Sequence, residues 1–314
     1  MVPAHLLAQS VTSTSASSTP APAAASPTAV STAAASIGGT GGPAEAATYV
    51  KGFNASLTTS SQHDSVSGWA SLLSPDVSYA LNKHLGGDFS FPYYNYLDTF
   101  INGGTLLAPT TRLVTVHNVI GDAAANVHFA LSPSFMDYVF TATGGFPVGN
   151  TQYNLSAEQY TYNINNHFDT SLGIFSPEME LGIGDNSSLL KHRAVKSSDI
   201  IGELAYFMAG TSVDLPFNLN FTADAYEEMP LSNLNTYQKI RITKKITDIV
   251  QTGAGPAEDN GFETDLDIPL ASHLVLSGFY DRSLRQHEDT AGFSFTVLLR
   301  VPKPAPKAAP AAAH

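Results

Sequence analysis

Residues Thr290 to Arg300 read TAGFSFTVLLR. Phe293, Phe295, Val297 and Leu299 share one parity, and Ser294, Thr296, Leu298 and Arg300 share the other. A period of two describes an extended strand with one apolar face and one mostly polar face. The same rhythm recurs upstream. Trp69, Leu73, Val77 and Tyr79 alternate with Gly68, Ala70, Ser74, Asp76 and Ser78. Leu85, Phe89, Phe91 and Tyr93 alternate with Asp88 and Ser90, and Val127, Phe129 and Leu131 with Asn126 and His128. Met136, Tyr138 and Phe140 stand against Asp137 and Thr141. Tyr160, Tyr162, Ile164 and Phe168 stand against Thr161, Asn163 and Asn165. Phe175, Met179 and Leu181 face away from Glu178 and Glu180; Leu219, Phe221 and Ala223 from Asn220, Thr222 and Asp224; Phe262, Leu266 and Ile268 from Glu263, Asp265 and Asp267. Runs of this length exceed the five or six residues typical of a strand in a soluble domain.

The connections carry a second rhythm. Tight turns fall at 82–85, 132–135, 168–170, 214–217 and 268–272. Longer polar links fall at 61–66, 97–119, 148–153, 184–199, 229–257 and 285–289. A transmembrane barrel has this alternation, with short periplasmic turns and longer outer loops. The count is about twelve strands, an even number that places both termini in the periplasm. The stretch 198–210 is read as a strand, because the up-and-down order needs one there. Residues 239–250 are read as a strand pair rising above the membrane.

Composition decides what covers the apolar faces. Charged residues make up 13% of the 314-residue chain, about half the usual share of roughly 25%. The polar faces are Ser, Thr, Asn, Gly and acid with little Lys, which suits a wet lumen rather than bulk water. A closed barrel pairs every backbone group in lipid without leaving an edge. The expected fold is therefore an all-β, antiparallel up-and-down transmembrane barrel over 48–301. A Ser/Thr/Ala/Pro tract occupies 1–47, and a Pro/Ala tail 302–314. The opening MVPAHLLAQS resembles the last residues of a secretory signal. Aromatic residues mark both interfaces of such barrels; Trp69, Tyr79, Tyr93, Tyr160 and Tyr162 are expected there. Pro75, Pro92 and Pro177 interrupt strands and must sit at bulges or near an interface.

Net charge is -12 and cysteine is absent. The charge excludes a basic nucleic-acid stripe. The missing thiols exclude disulfide scaffolds, cysteine-ligated zinc and cysteine catalysis. No cofactor or metal is indicated. The acids on lumen-facing parity are Asp88, Glu178, Glu180, Asp224, Glu263, Asp265 and Asp267. Crowded in a narrow lumen they favour cations or positively charged solutes; the alternative is a solvated lining neutralised by Arg282, Arg285 or Arg300. Lys239, Arg241, Lys244 and Lys245 fall in the longest outer link and could meet lipopolysaccharide phosphates.

As a last strand, TAGFSFTV resembles the signal read by the outer-membrane insertion machinery, through Thr290, Gly292, Phe295 and Val297. Gly121-Asp122, GFPVGN at 145–150 and the Tyr-rich strand after them resemble a broad family of outer-membrane barrels, described as transporters or as meta-pathway phenol-degradation proteins. That resemblance implies passive passage of small solutes, an outer-membrane location, and lipid and lipopolysaccharide as surroundings. Two other functions compete. His63-Asp64-Ser65 has the His-x-Ser spacing of the outer-membrane phospholipase and would make the barrel an enzyme. A secreted soluble β-sandwich that binds a ligand would use the same alternation.

Overall fold

The computed structural model describes residues 51–105, 108–133, 135–190, 198, 200–233, 235–241, 247–254, 259–271 and 273–300. The tracts 1–47 and 302–314, together with Lys244 and Lys245, lie outside the described residues. The first half of the chain forms β1 (Gly52–Asp64), β2 (Gly68–Ala80), β3 (Leu85–Ser90), β4 (Tyr93–Thr105), β5 (Ala108–Val116), β6 (Val119–Ile120), β7 (Ala123–Leu131), β8 (Asp137–Phe146) and β9 (Thr161–Asp169). The second half forms β10 (Phe175–Gly184), β11 (Ile200–Ile201), β12 (Leu204–Leu215), β13 (Leu219–Pro230), β14 (Asn235–Arg241), β15 (Thr247–Ala254), β16 (Asp259–Ala271), β17 (Leu274–Ser283) and β18 (Glu288–Arg300).

Twelve of these close a ring. Pairing runs β1–β2–β3–β7–β8–β9–β10–β12–β13–β16–β17–β18 and returns to β1. All twelve contacts are antiparallel. The first and last strands close the barrel through ten registered pairs, from Ala55 with Arg300 to Asp64 with Thr290. The expected all-β, twelve-stranded up-and-down barrel is the observed fold.

The end where β1 begins and β18 finishes carries the short turns and is called the near end. The far end carries the longer links. The expected strand at 198–210 is β12, preceded by the two residues of β11. The expected strand pair at 239–250 is β14 with β15, which with β11 forms a separate three-stranded sheet.

One link differs from its expectation. Most of 97–119 is not an irregular loop but the hairpin β4–β5, whose pairs run from Leu97 with Val116 to Thr105 with Ala108. It continues barrel strands past two interruptions, Phe91-Pro92 on the ascending side and Gly121-Asp122 on the descending side. The prolines follow the same geometry. Pro75 stands where β2 passes from pairing β4 (Ala70 to Leu73) to pairing β3 (Asp76 to Ala80). Its missing N–H therefore breaks no ladder bond on that side. Pro92 occupies the facing interruption, and Pro177 lies one residue beyond the last pair of β10 with β9.

The two faces of the wall are inverted relative to a soluble protein. On β7, Asn126 is 6% exposed and its neighbour Val127 is 54% exposed. The buried set is rich in Ser, Thr, Asn and acids; the exposed set includes Val77, Phe129, Leu181, Phe221, Phe262 and Phe293, all on the outside. An apolar surface wrapped around the whole ring far exceeds what a water-soluble monomer exposes. It matches the lipid-facing band of a membrane barrel.

Candidate functional site, an acidic lumen

In an antiparallel wall, directly opposed residues share a face, so one inward residue fixes the orientation of a whole row. The row through Asp224 can be followed almost around the barrel. Asp137 faces Asp169, which faces Glu178. Glu178 faces Gly210, and Gly210 faces Asp224. Asp224 faces Glu263, Glu263 faces Asp281, and Asp281 faces Thr290. Thr290 faces Asp64. Asp137 begins its strand at the near end and Asp64 finishes its strand at the far end. Strands stand about 4.8 Å apart and tilt by about 40°, so each step along the row climbs about 3 Å and the row about 25 Å. The carboxylates therefore form a spiral stair through the lumen. At Gly210 the stair has no side chain because none fits: a Cβ there would collide with the Asp224 carboxylate.

All seven acids expected in the lumen point into it. Glu178, Asp224 and Glu263 are steps of the stair. Glu180, Asp265 and Asp267 lie two or four residues along the same strands on the same face. Glu180 is almost fully buried and accepts from Asn165 Nδ2. Asp267 accepts from Ser277 Oγ at 2.5 Å. Asp88 stands across the lumen on β3, where Asn126 Nδ2 donates to it at 2.6 Å and His128 Nε2 contacts its other oxygen. The expected set left out Asp64, Asp76, Asp137, Asp169, Asp214, Glu228, Asp259 and Asp281, which also face inward. Asp76 and Asp137 already stand on the polar parity of their strands; the others are reached when parity is carried to the strand ends and through β17.

Among the described side chains on strand positions that face the lumen, the basic ones are His128 and His167. His128 Nδ1 lies 3.0 Å from Thr141 Oγ1. His167 sits amid the stair, 3.3 Å from Glu180, 3.8 Å from Glu178 and 3.7 Å from Asp169. Two of the three arginines expected to neutralise the lining are elsewhere, and the side chain of Arg300 lies outside those described. Arg282 points outward and pairs with Asp289, and Arg285 bonds Glu227 at 3.0 Å in the far-end turn.

The far mouth is narrowed by inward-folded links. Leu155, from 147–160, packs into a cluster with Ala70, Leu72, Tyr94, Leu97, Val116 and Val119. Asp122 holds that link, accepting from Gly149 N at 2.8 Å and Ala157 N at 2.6 Å. Burial pushes the Asp122 carboxyl above the usual aspartate value, against the opposing pull of those two N–H groups. On the other side Leu190 packs with Leu204, Tyr206, Met208 and Tyr226. Asn186 is buried, its amide donating to Ser198 O at 2.8 Å.

The five aromatic residues expected at the interfaces are distributed as follows. Trp69, Tyr160 and Tyr162 are exposed near the far end, and Tyr79 is exposed near the near end. Tyr93 is half-buried, its hydroxyl donating to Asn118 Oδ1 at 2.9 Å. At the near end the other exposed aromatics are phenylalanines: Phe53, Phe135, Phe175 and Phe217. Of the expected insertion signal, Thr290 and Gly292 face the lumen, and Phe295 and Val297 face outward on β18. The His63-Asp64-Ser65 trio is spread over three tasks. His63 stacks edge-on against Trp69 on the outer face, 5.0 Å between ring centroids. Asp64 Oδ1 accepts from Val66 N and Ser67 N in the turn. Ser65 Oγ accepts from Asp289 N.

No family model and no curated protein matches the chain. Solved structures do. The chain is similar to the NanC porin at 8% identity, covering 78% of this chain and 100% of that one with a TM-score of 0.46. It is similar to the COG4313 outer membrane channel from Pseudomonas putida F1 at 12% identity, 81% and 98% coverage, and a TM-score of 0.48. It is also similar to the Pseudomonas putida toluene transporter TodX at 9% identity, 82% and 91% coverage, and a TM-score of 0.44.

Proposed function

We propose that the chain is a channel of the bacterial outer membrane through which small solutes pass passively, with cations favoured. The observation that carries this reading is the carboxylate stair from one end of the lumen to the other, inside a wall whose outer face is apolar all round. Fixed negative charge in a narrow, low-dielectric passage concentrates cations and repels anions. The near end, with the start of β1, the end of β18 and the short turns, faces the periplasm. The far end, with the β4–β5 hairpin and the inward-folded links, faces outside, where it meets lipopolysaccharide. The aromatic residues at the two ends sit at the headgroup levels, and β18 is the strand read by the insertion machinery. The reading requires no cofactor.

The test is electrical. Detergent-refolded chain is added to a planar bilayer separating unequal KCl solutions, and the reversal potential is read. The expected sign is that of a potassium-preferring pore. Anion preference, or a folded barrel that never conducts, overturns the reading. Cold and boiled samples compared on a denaturing gel verify folding beforehand, since a closed barrel migrates differently from its boiled chain.

A further inference from the structure

The stair leaves one sector of the wall without a carboxylate of its own. On β2 and β3 the inward face carries a second arrangement: Ser74, Asp76 and Ser78 on β2, and Asp88 and Ser90 on β3. Ser90 is the direct cross-strand partner of Asp76. Directly opposed side chains leave the backbone with Cβ atoms about 5 Å apart. Ser74 is two residues from Asp76 on the same face, about 6.6 Å along the strand. The two serines are 3% and 1% exposed, and neither hydroxyl oxygen meets a hydrogen-bond partner. Buried hydroxyls are normally paired, so two orphans flanking one carboxylate ask for a ligand. The neighbouring acid is already occupied: Asp88 is held by His128 and Asn126. Asp76, 8% exposed, takes part in none of those bonds.

We propose that Ser74, Asp76 and Ser90 form a resting site for the head of a primary ammonium ion on its way through the lumen. This rests on the cation-favouring channel above and deepens it. The chemistry selects the ligand class. A –NH3+ group presents three N–H donors and no acceptor, and the site offers the oxygens of one carboxylate and two hydroxyls. One carboxylate and two hydroxyls give at most four of the roughly six to eight oxygens that Ca2+ takes. A quaternary ammonium carries the same charge without the donors, so it gains the carboxylate's attraction and leaves both hydroxyls unsatisfied. The ligand is thus a small alkylamine in its protonated form, recognised by its head and not by its tail.

The experiment uses propylammonium as probe and tetramethylammonium as comparison, each titrated onto refolded channels in symmetric KCl. Propylammonium should reduce potassium current with a half-effect concentration that rises about tenfold or more in Asp76→Asn, the loss of a charge-assisted bond, and roughly threefold in Ser74→Ala or Ser90→Ala, the loss of a neutral one. Ser60→Ala, an inward serine on β1 outside the group, should leave it unchanged. Tetramethylammonium should be indifferent to both serine changes. Equal block of wild type and the three site variants overturns the site while leaving a cation-preferring pore intact. If the barrel folds but does not conduct, the channel reading fails by itself, and calorimetric titration of the refolded barrel with propylammonium decides the site. Weaker binding in Asp76→Asn and in the serine variants then supports it, and no difference overturns it. Gel mobility confirms that each variant is folded.

Discussion

Asp224 and Glu263 are direct cross-strand partners, and both carboxylates point into the lumen. Like charges directly opposed weaken a sheet, by roughly 0.2–1 kcal/mol for such a pair. Asp281, opposite Glu263 on its other side, adds a second such contact. An arrangement that lowers stability and recurs along a row is the signature of a passage rather than of a core. Glu263→Gln keeps the shape and removes the charge. It should raise the urea midpoint by an amount equivalent to about 0.5–1 kcal/mol and move the reversal potential toward zero. A variant that is less stable, with unchanged selectivity, would show the row to be a structural network instead.

The chain has one tryptophan, and it reports on the outer face. Trp69 lies outward near the far end, about half exposed, against His63. If that face meets lipid, its emission is blue-shifted in vesicles relative to urea. It should also be quenched more by lipids brominated just beneath the headgroup than by lipids brominated near the end of the chain. Trp69→Phe keeps the ring at the interface and should leave folding intact, while Trp69→Asp should slow insertion. Equal quenching at all depths, or none, would place Trp69 away from the headgroup level.

The barrel was legible because lipid and lumen impose opposite chemistries on alternate residues. Each acid expected in the lumen, Asp88 through Asp267, followed from counting by two within one strand. Counting fails where a bulge inserts a residue. On β4, Tyr94 and Leu97 are both fully buried although their parities differ, because Ser71 pairs with Tyr96 while Leu72 pairs with Tyr94, leaving Asn95 extra. One such slip hides the continuation of the strand into the hairpin. The stair was illegible for another reason: it is a property of register between strands as far apart in sequence as Asp64 and Thr290, which no single run of residues encodes. Leu155 and Leu190 were hidden likewise, since nothing in a polar link says which of its apolar residues turns back into the mouth.

Asp122 ties the 147–160 link to the barrel rim through two backbone donors. Asp122→Ala leaves both N–H groups without their acceptor, at about 1–3 kcal/mol for each that stays buried. The link should loosen, seen as faster hydrogen exchange at Gly149 and Ala157 and as a noisier, larger conductance. The pH dependence has a definite sign. Because burial raises the Asp122 pKa, the folded chain keeps this proton to higher pH than the unfolded chain does. That contribution is complete below the ordinary aspartate value of about 3.9 and is lost as pH rises through the raised value. Wild-type stability measured against Asp122→Asn should therefore decline between acid and neutral pH. A difference that is flat, or that grows with pH, would mean that the two N–H groups outweigh burial.

The last strand separates a folding role from an assembly role. Phe295 and Val297 face lipid on β18, whereas Gly292 faces the lumen under the ring of Phe279, where a Cβ would lie 2.6 Å from that ring. Gly292→Ala must displace Phe279 or Gln62 and should destabilise the barrel by any route of folding. Phe295→Ala removes only lipid-facing surface, so unassisted refolding into short-chain detergent should be nearly unchanged. If the aromatic is what the insertion machinery reads, the same variant should assemble several-fold more slowly into vesicles containing that machinery, and Phe295→Tyr should restore the rate. Equal slowing in detergent and in the assisted system would assign Phe295 to barrel packing alone, since a recognition defect cannot appear where nothing is present to recognise it.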